Sequence, residues 1–185
     1  MNDFARVLQA EIPRLRRYAR ALARGNMAWA DDLVQTCLTR AIAKQHLWRI
    51  GSDLRAWLFT ILHNQHVNDV RRSAREGVGI DVDEVAPILP VLPSAMPSLE
   101  LRDLEIALAK VPDEQRQVIL LVGLEGMSYE EIASILQIPV GTVRSRISRG
   151  RDQLRRLMGM DAGVFPEPSS ENTTASGGER YQRAA

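Results

Sequence analysis

The chain contains a single cysteine, Cys37, so an internal disulfide framework is excluded. It has no run of about 18 apolar residues, and no membrane-spanning helix is expected. At the N-terminus Phe4, Val7 and Leu8 are interrupted by Arg6 and Gln9, which argues against a secretory leader. Aromatic residues are scarce, three each of Trp, Tyr and Phe, and give no hint of a β-rich core. There is no glycine-rich phosphate loop, no nucleophile motif and no ligand cluster at metal spacing. His63 and His66 stand three apart, but no third ligand accompanies them. Neither an enzyme, a metal site nor a cofactor is therefore expected. A reducing compartment such as the bacterial cytoplasm suits the cysteine usage.

What the chain does have is unevenly distributed charge. The formal net charge of +1 over 185 residues conceals segments of opposite sign. Residues 1–77 carry +6, residues 78–112 carry −4, and residues 141–157 carry +5. Basic blocks attract phosphate backbones. Arginines that merely solvate helix faces would give the same pattern, so charge alone decides little.

Apolar spacing is helical over three segments, roughly 4–24, 28–46 and 53–74, broken at Gly25-Asn26 and Gly51-Ser52. Pro13 is expected in the first turn of a helix or at a restart. From 77 to 98 the period is lost. This stretch holds two Gly, four Pro, several acids and no basic residue, and reads as a linker. Helical spacing returns over Leu99–Ala109, then from Asp113, a candidate N-cap, to Leu124. Ser128 to Glu131 has the form of a capping box. A last helix is expected from Thr142 to Met158. The tail from 159, with its Ser/Thr/Gly cluster, is expected to be disordered. The expected fold is all-α, with two small helical domains at 1–76 and 99–158.

The segment Ser128–Met158 carries the sharpest local signal. Two short helices are joined by a turn containing Gly141, and the second is rich in arginine, as in a helix-turn-helix. On a helical projection Val143, Ile147, Leu154, Leu157 and Met158 share one face. The opposite face presents Arg144, Ser145, Ser148, Arg149 and Asp152. Such side chains hydrogen-bond base edges and phosphates in a major groove, and the small serines allow close approach.

The runs Pro112-Asp113-Glu114-Gln115-Arg116, Gly126-Met127-Ser128-Tyr129-Glu130-Glu131-Ile132-Ala133 and Pro139-Val140-Gly141-Thr142-Val143-Arg144-Ser145-Arg146 resemble domain 4 of extracytoplasmic function (ECF) sigma factors of the sigma-70 type. Upstream, Ala30-Asp31-Asp32-Leu33-Val34-Gln35 is similar to the polymerase-binding segment of domain 2. Leu54 to Asn64 resembles the helix of that domain that faces the −10 promoter element. The matches follow the family's order and cover roughly residues 10–158. The linker stands where larger sigma factors carry a middle domain.

The resemblance implies a factor that binds core RNA polymerase at the β′ clamp helices and the β flap and directs it to promoter DNA. Asp31, Asp32, Leu33 and Gln35 are the implied polymerase contacts; helix-terminal charge is the plainer reading of the two aspartates. The family commonly has an acid where Thr36 stands. Asn64, Asn68, Arg71 and Arg72 are the implied −10 contacts. Their amide and guanidinium groups suit bases and phosphates. Trp48, in the loop 46–53, matches an aromatic of the pocket that holds an unpaired base, and a place in the core is the alternative. Thr142, Arg144, Ser145, Arg146, Ser148 and Arg149 are the implied −35 contacts. Ser148 replaces a position often bulkier in relatives, so base preference does not carry over. The family also implies control by an anti-sigma factor, with a lean toward stress response. A DNA-binding regulator without polymerase contacts is the rival reading. It would have no reason to carry the segments 30–35 and 54–72 together.

Overall fold

In a computed structural model the chain is helical throughout its described residues, which are 3–48, 52–77 and 99–160, with backbone alone at 99 and 100. The elements are α1 (Asp3–Leu22), α2 (Met27–Ala43), a 3-10 turn (Gln45–Leu47), α3 (Leu54–Glu76), α4 (Leu99–Lys110), α5 (Asp113–Gly123), α6 (Tyr129–Leu136) and α7 (Val140–Leu157). The expected linker beyond Gly77, the expected tail beyond Met160 and residues 49–51 of the expected −10 loop lie outside the described residues.

Local chemistry sets most boundaries. Asn26 caps α2 by accepting the Trp29 amide at 3.0 Å, and Asp53 caps α3 by accepting that of Ala56 at 3.1 Å. Ser128 and Glu131 form the reciprocal box that opens α6, at 3.2 and 2.7 Å. Each such cap stabilises by about 1 kcal/mol. Gly77 closes α3 with φ +67°, a conformation that glycine adopts without steric cost.

Four local expectations change. Pro13 lies inside α1 rather than in its first turn. Its ring and the freed carbonyl are tolerated because the residue is exposed. Asp113 is the first residue of α5, not its N-cap, and its carboxylate is drawn away to His66, Arg116 and Gln117. The turn between α6 and α7 is made by Gln137 in the left-handed region at φ +54°, with Gly141 inside α7. Leu157 stands 37% exposed, so the buried face of α7 runs Val143, Ile147, Gly150, Leu154.

The first half packs α1, α2 and α3 together. Leu15, Leu22, Leu33, Leu58 and Leu62 are fully buried there, with Tyr18 and Phe59 edge to face at 5.2 Å. Cys37 belongs to the same core. Its thiol donates to the Leu58 carbonyl at 3.4 Å, and burial pushes its pKa up to about 12, so it is inert at neutral pH. In the second half α5 and α6 pack on α7, and α4 lies along α7. Gly150 is what lets α5 and α7 close. A Cβ there would sit 2.5 Å from Ile119 Cδ1 and 3.2 Å from Gln115 Cβ.

The halves share one core, because α1 packs on α5 and α3 on α6. A polar network runs through this junction. Glu125, with no exposed side-chain surface, takes Arg17 at 2.7 Å and Arg55 at 3.4 Å. Arg17 also donates to the Leu124 carbonyl, and Arg55 to that of Glu125. His66 is fully buried, stacks on Trp29 at 5.3 Å and meets Asp113 at 2.9 Å. His63 pairs with Gln117 at 2.8 Å. The two histidines are thus contacts between halves.

Asp113 ties this network to pH. Burial alone would raise its pKa, but the hydrogen bond and charge of His66, the Arg116 guanidinium and the Gln117 amide outweigh it. The value falls from 3.8 to about 2. A carboxylate depressed on folding adds stability that is present in full above its unfolded pKa and lost as pH falls through the folded one. The window here is 3.8 down to about 2. Asp113 should contribute about 2 kcal/mol at neutral pH. In urea titrations across pH 2–6, Asp113→Asn should reduce the acid-side loss of stability by about that amount.

Candidate nucleic-acid interface

Helix α7 carries the residues expected to contact the −35 element. Arg144, Ser148 and Arg149 are exposed, and Thr142, Ser145 and Arg146 are half-buried. The face exists because Val143, Ile147 and Leu154 turn the other way into the core. Two of these groups already have partners. The Ser145 hydroxyl donates to the Thr142 carbonyl at 3.0 Å, and Arg146 pairs with Glu114 of α5 at 2.5 Å. Arg144 and Arg149 remain the two freest cations of the face. Arg149, Arg146 and Thr142 also line a cavity of about 330 Å³ against the first turn of α5.

On α3 the residues Asn64, Asn68, Arg71 and Arg72 are all exposed, while Leu54, Leu58, Leu62 and His66 face inward. Among the described residues Arg72 alone of these is paired, loosely, with Asp69 at 3.7 Å. Trp48 is half-buried. Its ring tilts against Phe4 with centroids 5.5 Å apart, so part of its surface is spent on packing against α1.

In α2, Asp31, Asp32 and Gln35 are exposed in a row. The aspartates lie beyond the first turn, which holds no acid, so helix capping does not explain them. Leu33, expected among the polymerase contacts, is 0% exposed. It is a core residue, turned inward by the helical period that turns Asp32 and Gln35 outward. Among the described residues no helix is long and apolar enough to cross a membrane, and no group of three His, Cys, Asp or Glu could hold a metal.

Comparison with known proteins assigns both halves. Residues 8–63 match the family model for the Sigma2 domain of PhyR, and residues 101–154 match Sigma-70, region 4. The ECF RNA polymerase sigma factor EcfG of Rhodopseudomonas palustris (strain TIE-1) is 40% identical over 169 residues, covering 91% of this chain and 92% of that protein. The ECF RNA polymerase sigma-E factor of Escherichia coli (strain K12) is 34% identical over 134 residues, 66% of this chain and 70% of that one. Among solved structures, the sigma factor RpoE in complex with the anti-sigma factor NepR from Bartonella quintana superposes with a TM-score of 0.73 at 38% identity. That match covers 87% of this chain and 99% of the other. CnrH in complex with the cytosolic domain of CnrY gives 0.61 at 27% identity over 84% and 87%. With two sigma regions in order, an exposed polar face on α3 and on α7, and these likenesses over nearly its whole length, the chain belongs to the ECF family of RNA polymerase sigma factors.

Proposed function

We propose that residues 1–76 and 99–158 work as separate reading heads of one initiation factor, joined by the acidic segment 77–98. The observation that carries this is the pair of exposed polar faces, one on α3 and one on α7, on opposite halves of the shared core. In this reading Asp31, Asp32 and Gln35 accept donors from the polymerase β′ clamp helices, and the second half meets the β flap. Carboxylates suit arginine partners because the guanidinium fork can pair with both oxygens. Asn64, Asn68, Arg71 and Arg72, with Trp48 beside them, contact the −10 element. Arg144, Ser145, Ser148 and Arg149 contact the −35 element, with Thr142 and Arg146 nearer its phosphates. Arg146 would exchange Glu114 for a DNA phosphate.

Two proteins of similar structure were solved with a bound partner: RpoE with the anti-sigma factor NepR, and CnrH with the cytosolic domain of CnrY. An anti-sigma factor is accordingly the expected regulator here, acting in the cytoplasm on a stress-response regulon.

Each docking assignment has a direct test. Asp31→Ala with Asp32→Ala should lower affinity for core polymerase at least tenfold, about 1.4 kcal/mol, with unfolding unchanged. Equal affinity in a binding titration would leave the aspartates as surface charges only. Arg149→Ala should weaken −35-dependent binding by about 1–3 kcal/mol and relax specificity at one base pair. An unchanged sequence preference in a selection from randomised −35 elements would remove Arg149 from base reading.

A further inference from the structure

A second basic feature adjoins the residues already assigned. Between α2 and the C-terminal half of α3 is an open cavity of about 500 Å³, lined by the cations Arg40, Arg72 and Arg75, the acids Asp69 and Glu76, and the amides Gln65 and Asn68. Arg40 comes from α2; the rest come from α3. The acids of this groove do not neutralise it. Asp69 sits low in the wall with its side chain 9% exposed, and both its oxygens accept from the Gln65 amide, at 2.9 and 3.1 Å. It reaches Arg72 only at 3.7 Å, and Glu76 makes no ion pair among the described residues. Arg75 spends its Nε on the Arg71 carbonyl at 3.2 Å, and among the described residues Arg40 has no ion pair or side-chain hydrogen bond. Three arginines thus line one cavity against two carboxylates, one positive charge in excess, and the cavity is large enough for a sugar-phosphate unit.

Asn68 and Arg72 belong both to this groove and to the exposed row Asn64, Asn68, Arg71, Arg72 on α3. The groove therefore continues that face sideways onto α2. From this continuity we infer that the groove holds the sugar-phosphate backbone of a promoter strand. Arg40 and Arg75 are its phosphate contacts, in addition to the α3 face. The inference rests on the sigma reading. A guanidinium fork pairs with two phosphate oxygens, and such contacts position a strand without reading its sequence. Arg40 is the most informative residue, because among the described residues no carboxylate pairs with its guanidinium.

The test uses the full chain assembled with core polymerase, bound to forked promoter DNA over a series of salt concentrations. Each phosphate contact contributes about 0.7–0.9 to the slope of log K against log salt. Arg40→Ala and Arg75→Ala should each reduce the slope by that amount and weaken binding about five- to eightfold at 0.1 M salt. The loss should be equal for all −10 and −35 sequences. Arg40→Lys should retain most of the slope, and Arg6→Ala, exposed on α1, should leave it unchanged. If Arg40→Ala and Arg75→Ala both keep the wild-type slope, the groove is only a solvated polar surface and the inference fails. A change in base preference with Arg40→Ala would also overturn it, in favour of a base contact. A wild-type holoenzyme that ignores promoter sequence would instead refute the sigma reading, whatever the slopes.

Discussion

Replacing Arg116 by alanine should destabilise the folded chain by about 3–5 kcal/mol, the cost of breaking a buried charged network from one side. Arg116 is 1% exposed. Its guanidinium donates to the Val111 carbonyl at 3.1 Å, the Leu22 carbonyl at 3.2 Å and the Asp113 carboxylate at 2.5 Å. Those three acceptors belong to the end of α1, the start of α5 and the turn before it. A single side chain therefore fixes the entry of α5 and docks it on the first half. Removing it leaves two buried carbonyls unpaired, each costing about 1–3 kcal/mol, and opens a cavity. Arg116→Met should recover part of the loss by refilling volume, but not the hydrogen bonds. Arg116→Lys should do little better, since a point charge cannot reach three acceptors arranged for a fork. Equilibrium urea unfolding measures this, and a loss for Arg116→Ala below about 1 kcal/mol would show that the carbonyls find water instead.

Glu125→Ala should cost somewhat less, about 3 kcal/mol. The carboxylate has no exposed surface, but its partners Arg17 and Arg55 are 34% and 25% exposed and can rehydrate. The distinctive consequence is geometric. Both arginines come from the first half and the carboxylate from the second, so their loss removes a main polar tie between α1, α3 and the end of α5. The radius of gyration from solution scattering should increase in Glu125→Ala, with helix content by circular dichroism retained. Glu125→Gln, which keeps an acceptor but not the charge, should fall between. An unchanged radius would mean that the α3–α6 and α1–α5 apolar contacts hold the halves together without the ion pairs.

The helices themselves were largely legible in the residues. The Ser128/Glu131 box, the breaks at Gly25-Asn26 and before Asp53, and the 3.6-residue spacing of Val143, Ile147 and Leu154 act within one or two turns of chain. The exposed faces of α3 and α7 followed from the same period. Asp113 and Leu33 were misplaced for instructive reasons. An acid at a helix start has the composition of a cap, and only its partners on another element show that it is an interface group. Leu33 sits in a polymerase-binding motif, but a motif does not say which of its members point inward. The junction between halves was not legible at all. Glu125 looks like an ordinary surface acid, Arg17 is one of several arginines along α1, and His66 has no evident role in the sequence until Trp29 and Asp113 are beside it. These pairings span 37 to 108 residues, where local pattern carries no signal. Gly150 is similar, because its need arises only from Ile119 on the facing helix.

Transcription from a randomised DNA library by core polymerase with and without the full chain is the most direct measurement of the central claim. The account predicts transcripts that depend on the added chain and start downstream of two recurring motifs about 25 base pairs apart, roughly the distance between the −10 and −35 elements over two and a half helical turns. The upstream motif should lose definition with Arg149→Ala, and the downstream one with Asn64→Ala or Asn68→Ala. Transcripts whose start sites carry no common motif, or match those of core polymerase alone, would contradict it.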